Sequence, residues 1–557
     1  MSPVEPEPHE PRSRQRVRWI RGAGIGLAAG LACGLGLSIW QALDSELGQR
    51  LANGLGAMLW LGPTVLVGFG VFVWLVTCSR INRRTRIRLG ATGLTLAIAA
   101  CVLFRFDSFS GDLFPQFTWR WSHAAGQLSL RTPPSSEAEK HPQLPESPPE
   151  ASLAMASDSD YPGFLGPNRT GVVAGPRLAR DWNRQPPRAL WQHSVGLGWS
   201  GFAVMGHHAV TQEQRGPEEC VVAYDLRTGR ELWVHRDETL FTGSGVHGDG
   251  PRATPMLYQG RVYALGATGY FNCLELLTGR QLWQHQVLPH PETDNLQWGM
   301  AGSPLIVGQQ VIIAPGLKPG RSVMAFDQES GRLAWSAGDA PAAYSSPQAS
   351  QLDGQNQILI FNGAGLSAHA PDDGHVLWTF PWVTQGVSMV NVAQPLVLSR
   401  SVLGAEHDAF LISSGYSQGC ALLSIQTEQP SMQVTELWRN KSLKSKFSNM
   451  VALDEFVYGL DDGILVCLEA RTGKRRWKGG RYGHGQLLLV ADLLLVQTES
   501  GDVALVAPDP KAFQELGTFA ALPSKTWNHP ALAGNLLLVR NDRIAACYEL
   551  PVAEDSE

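Results

Sequence analysis

Arg252, Lys444, Lys446, Arg481 and Lys525 sit in short segments that also carry His247, Trp298, Tyr344, His484 and Trp527. Cations beside aromatic faces suit an anionic, partly planar small ligand or an acidic peptide. A charge-assisted contact fixes the anion while a ring stacks on its apolar part. Asp249 is placed to pair with one of the bases. Each segment (GVHGDGPRAT, NLQWGMAGS, AYSS, SMVNVAQ, LKSKFS, RYGHG and KTWNH) ends just before a run that reads as a short β-strand, starting near Pro255, Pro304, Pro347, Pro395, Asn449, Gly485 and Pro530. The ten residues share one site only if those strand starts converge.

The repeat that would make them converge lies between Tyr224 and Trp477. YDLRTGRELW, LELLTGRQLW, FDQESGRLAW, HAPDDGHVLW and LEARTGKRRW each run apolar, acidic or polar, a turn ending in Gly, then a strand closing on Trp. One supersecondary unit of roughly 40 to 60 residues is being stacked. Trp438 fits after a longer hairpin (426–435), and Phe519 closes a decayed copy. Trp191 ends a strand with no hairpin before it, and IAACYEL near the C-terminus lacks the closing strand. Each fragment supplies what the other lacks. The expectation is an eight-bladed β-propeller of four-stranded antiparallel blades over 161–551, closed by the Trp191 strand joining the last blade, with an acidic tail at 552–557. Asp225, Glu275, Asp327 and Glu469 cap turns in this reading and are not a catalytic series.

Before the propeller the chain changes character. A basic segment (1–21) precedes three apolar stretches within 22–106, at about 22–43, 51–78 and 89–104, which read as a bundle of three transmembrane helices. A cleavable leader competes for the first stretch. Arginines flank the first stretch and fill the loop between the second and third, so the N-terminus is expected in the cytoplasm and the propeller outside the inner membrane, in the periplasm. Residues 107–131, with Phe114, Phe117, Trp119 and Trp121, read as an interfacial segment, and 132–160, rich in Pro, Ser and Glu, as a tether.

The net charge of −5 argues against a nucleic-acid partner. The eight cysteines form no CxxC and no metal-ligand spacing. In repeat alignment Cys273, Cys467 and Cys547 share the small apolar slot of Ala223 and Ala325, so buried thiols are expected.

The phrase [YFL]-[DE]-x-x-[TS]-G-x-x-x-W resembles the pyrroloquinoline-quinone (PQQ) repeat, shared by quinoprotein alcohol dehydrogenases and the non-enzymatic outer-membrane-protein assembly lipoprotein. The resemblance covers about Tyr161 to Leu550. For the dehydrogenases it implies PQQ and calcium as cofactors, an adjacent Cys–Cys disulfide, a Glu, Asn and Asp calcium set and an Asp base. No two cysteines here are neighbours, and no residues match the calcium set. The sequence therefore reads as a membrane-anchored, exported binding or scaffold module. A PQQ-dependent oxidoreductase and an envelope-protein assembly factor are the alternatives, and the cofactor is left unknown.

Overall fold

The computed structural model describes residues 82–109, 111, 115–119, 159–243, 248–384, 390–428 and 431–553. The first two predicted membrane stretches, His247 and nearly all of the predicted tether lie outside them.

Helix α1 (Arg83–Leu103) has the Asn82 side chain accepting from the Arg84 N–H at 3.2 Å. It therefore begins earlier than expected: Arg83, Arg84, Arg86 and Arg88, read as a loop, form its first turns, because Arg is a good helix former and Asn82 satisfies an orphan donor there. Its 21 residues contain an 18-residue stretch of mean hydropathy 1.5, long and apolar enough to cross a membrane. Ile87, Leu94 and Ile98 are exposed. The chain leaves α1 straight into β1 (Phe104–Phe109), which pairs antiparallel with β2 (Pro115–Trp119). The described residues of the segment expected at an interface thus belong to this hairpin, with Phe117 exposed on its second strand.

From 160 the chain threads the propeller axis. Tyr161 exchanges two backbone hydrogen bonds with Val204, and Pro162 accepts from the Leu257 N–H at 2.7 Å. The buried Arg169 guanidinium donates to the Pro304 and Ser303 carbonyls at 2.5 and 3.0 Å. β3 (Val172–Val173) then adds in parallel to the inner strand Gln486–Val490.

Eight antiparallel sheets surround this segment. Blades 1 to 7 span 203–237, 256–286, 305–337, 348–381, 396–440, 451–481 and 486–520, each in sequence order from inner to outer strand. Blade 8 takes three strands from 531–549, and its outer strand is β4 (Arg188–Ser194), with Trp191 opposite Cys547. Blade 5 has the long hairpin expected before Trp438, with strands Gly419–Glu428 and Ser431–Asn440.

The repeated phrase acts between blades. Trp191, Trp233, Trp283, Trp335, Trp438 and Trp477 each donate Nε1–H to the carbonyl of Leu226, Gln328 or an equivalent turn residue in the following blade, at 2.7 to 3.3 Å. Trp378 bonds Gln357 Oε1 instead, because blade 5 has a long hairpin where the others have the turn. Asp225 and Asp327 cap their turns through the Thr228 and Ser330 amides, at 2.9 and 2.8 Å. Cys273, Cys467 and Cys547 are buried free thiols, as are Cys220 and Cys420. Burial pushes the Cys467 thiol up to about 11 and Cys273 to about 12, so they pack as small hydrophobes.

Candidate functional site: the axial funnel

Two turns of geometry place the site. The residues two before each inner strand form a ring around the axis, and from blade 1 to blade 6 they are joined by a hydrogen-bonded belt. The Gly201 N–H donates to Thr254 Oγ1 (3.2 Å), Thr254 N–H to Ser303 Oγ (2.9 Å) and Ser303 N–H to Ser346 Oγ (2.9 Å). Ser346 N–H then donates to Gln394 Oε1 (3.0 Å), and Gln394 N–H to Asn449 Oδ1 (2.7 Å). Each blade's side-chain oxygen thus satisfies the preceding blade's buried amide, as burial requires.

The belt stops at blades 7 and 8, where the equivalent residues are His484 and His529. Here the His484 N–H donates to Glu499 Oε2 at 3.0 Å, and Gln486 Nε2 donates to the Phe447 and Trp527 carbonyls at 3.1 and 2.9 Å. Gln486 Oε1 and His529 Nε2 are buried with no hydrogen-bond partner among the described residues, and so is Trp199 Nε1. Burial lowers the His529 imidazole to about 4, so it is neutral; with Nδ1 turned to the Pro530 carbonyl at 2.9 Å, Nε2 is an acceptor.

Above this ring is a cavity of about 160 Å³. All eight blades line it, with Trp199, Arg252, Trp298, Tyr344, Phe447 and Trp527 on its wall and Phe164, from the axial segment, as its floor. Its rings are in contact: Trp199 and Trp527 at 4.9 Å between centroids, Phe447 and Trp527 at 5.3 Å, Trp298 and Tyr344 at 5.1 Å. Arg252 Nε donates to the Trp298 carbonyl (2.6 Å) and Nη2 to the Gly248 carbonyl (3.0 Å). Burial brings Arg252 down to about 10, which leaves it charged at neutral pH. The Lys525 ammonium lies 4.3 Å from the Trp527 centroid and 5.5 Å from that of Trp199.

The residues singled out from the sequence separate into groups. Arg252, Trp298, Tyr344 and Trp527 line the cavity, and Lys525 stands over Trp527. Lys446 and His484 flank Phe447 at the rim. Lys444 is elsewhere, bound to Asp461 (2.8 Å) and Asp462 (2.6 Å) of its own blade, because that blade's second strand ends in two acids. Arg481 ends an outer strand and is exposed, since the chain needs three more residues to return to the axis. Glu499, His529, Gln486 and Phe447 were not singled out. A repeat alignment centred on the strand starts finds His529 and the belt residues, whereas Glu499 comes from the loop after a second strand and carries no axial signal.

Eight sheets closed by β4 around an axial pocket define a repeat propeller of the PQQ-like type. The family profile described as outer membrane protein assembly factor BamB matches residues 187–317 and 217–479, and the chain belongs to that family. It is 26% identical over 245 residues to the outer membrane protein assembly factor BamB of Yersinia pestis, covering 42% of this chain and 58% of that protein. Against the quinoprotein alcohol dehydrogenase PedH of Pseudomonas putida it is 25% identical over 230 residues, covering 36% of this chain and 37% of the enzyme. The chain thus spans less than two thirds of either relative. A europium-containing methanol dehydrogenase superposes with a TM-score of 0.54 over 71% of this chain and 98% of its own, at 12% identity, which speaks for the fold.

The cavity wall does not fit PQQ with calcium. It carries no carboxylate, and the buried acid at its mouth, Glu499, is engaged by three donors: the Gly111 and His484 amides and Trp527 Nε1. Among the described residues no three His, Cys, Asp or Glu side chains gather as a cation site.

Proposed function

We propose that this protein is a membrane-anchored binding module of the cell envelope whose axial funnel takes an acidic peptide segment of an envelope protein under assembly. The observation that carries the reading is the composition of the cavity wall. Arg252 and Lys525 supply positive charge and the five aromatic residues of the wall supply stacking, while Gln486 Oε1 and His529 Nε2 are acceptors and Trp199 Nε1 is a donor. An inorganic oxyanion would meet acceptors it cannot satisfy; a peptide brings a carboxylate together with N–H groups and meets both. The family, the apolar α1 and the arginine distribution at the N-terminus support an anchor of three passes with the propeller outside the inner membrane.

The test is a titration of full-length protein in detergent with a dye-labelled acidic peptide containing Tyr. Saturable binding should weaken about tenfold in Arg252→Met and again in Lys525→Met, in line with about 1.4 kcal/mol per contact. Binding that ignores both substitutions rejects the site, and reporter fusions after residues 45, 85 and 125 that disagree with alternate crossings reject the anchor.

A further inference from the structure

The hairpin that follows α1 reaches the gap in the belt. The Gly111 N–H donates to Glu499 Oε1 at 2.6 Å, and the Gly111 carbonyl accepts from Lys446 Nζ at 2.6 Å. Both backbone polar groups of one residue are thus read by a buried carboxylate and an ammonium. Glu499 is held for this task. Trp527 Nε1 donates to the same oxygen at 2.9 Å and the His484 N–H to the other at 3.0 Å, and its own backbone bonds the Tyr482 carbonyl and the Thr526 amide, at 2.7 and 2.9 Å. The pocket also selects the residue. A Cβ on Gly111 would overlap the His484 imidazole and lie 3.1 Å from Phe447 Cε2, so no L side chain enters unless two packed rings move.

Resting on the binding-module reading above, we infer that Glu499, Lys446 and His484 form a glycine-selective peptide-backbone subsite. It takes Gly111, between β1 and β2, in cis and a glycine-bearing turn of a second polypeptide in trans, the two being mutually exclusive. The contact would be an ordinary tertiary one if it only tied the hairpin down. Its position argues otherwise: it lies where the belt is interrupted at blade 7, beside Phe447 and Trp527 of the cavity wall. A segment of the same chain that occupies a recognition site lowers apparent affinity by the fraction of time it is bound.

The experiment uses the full chain in nanodiscs. With a photo-crosslinking phenylalanine at Tyr416, whose ring lies 5.0 Å from Lys446 Nζ, irradiation should join position 416 to the tryptic fragment carrying Gly111. Gly111→Leu should lower that yield at least fivefold without lowering the melting temperature of the propeller. A dye-labelled peptide of residues 104–119 should bind the Gly111→Leu protein at least tenfold more tightly than wild type, and the same peptide with Leu at the glycine position should not bind. Glu499→Gln should remove this binding; if that variant fails to fold, Lys446→Met serves. Equal binding of the two peptides, or a crosslink indifferent to Gly111→Leu, overturns the subsite. Peptide binding here that ignores Arg252→Met leaves the subsite standing and counts against the cationic cavity alone.

Discussion

Gly279 lies against the indole of Trp233 from the preceding blade, so close that a Cβ there would fall 2.6 Å from Trp233 Cδ2; the same indole donates Nε1–H to the Leu276 carbonyl at 2.8 Å. One turn therefore supplies both the acceptor and the flat surface on which its neighbour's Trp rests. Gly260, in the same blade, has nearly the same φ (+72° against +71°) but open space where its Cβ would be. Gly260→Ala should cost about 1 kcal/mol, the backbone term alone. Gly279→Ala should cost about 2 kcal/mol more, because the indole must shift. Urea melts of the two variants separate backbone preference from blade packing.

Closure can be tested at β4. Trp191 stacks on His193 (4.8 Å) and bonds the Leu226 carbonyl, so it touches blades 8 and 1 together. Trp191→Ala should cost about 3–5 kcal/mol. Amide exchange should accelerate first in 188–194 and 544–549, where the ring would open.

Arg540 crosses the same seam from inside. It is 1% exposed and donates to Thr211 Oγ1 (2.8 Å) and to the carbonyls of Gln212, Gly196 and Gly198 at 3.0 to 3.2 Å. Burial lowers its pKa, an effect opposed by Glu213. Arg540→Met removes the donor shared by these four buried acceptors and should destabilise by about 3–5 kcal/mol, and Arg540→Lys should recover only part, having no planar fork.

Glu219, buried between blades 1 and 2, is raised to about 7 by burial, against hydrogen bonds from Thr268. A raised carboxyl keeps its proton in the fold while the unfolded chain ionises near 4.5. Stability is therefore full below about pH 4.5 and declines as pH rises to about 7, by roughly 3 kcal/mol in all. Glu219→Gln should flatten this slope and be the more stable protein at pH 8, as read by melts across pH 4 to 8.

Lys444 and Lys525 make a matched pair. Lys444→Met leaves the buried Asp461 with Lys478 alone and should cost about 1–2 kcal/mol with peptide affinity unchanged. Lys525→Met should do the reverse, because its ammonium sits over the Trp199 and Trp527 rings of the cavity wall.

The ring was legible because its signal is periodic. Trp191 and Cys547, 356 positions apart, could be paired since one ends an orphan strand and the other begins an unfinished hairpin. The cavity was half legible: Arg252, Trp298, Tyr344 and Trp527 precede inner strands, so phase alone brings them to the axis. Phase says nothing of what a side chain meets on arrival, and Lys444 met two acids. The β1–β2 hairpin was hidden because FRFDSF alternates directly behind an apolar helix and extends its hydrophobic run. Glu499 was invisible for another reason: a loop residue far from the repeat phrase is placed only by the three-dimensional return of its blade.

α1 ends at Leu103, and eight residues later the chain is in the funnel mouth. Extended chain covers at most about 3.4 Å per residue, so the helix terminus stands within roughly 27 Å of Gly111. Were α1 to lie in a lipid bilayer, approach to the funnel would be sideways, through a gap of at most about that height. A threaded or unfolded strand, about 10 Å thick, slides in. A folded domain of a hundred residues, with a radius of gyration near 13 Å, is turned away by size before any chemistry is consulted.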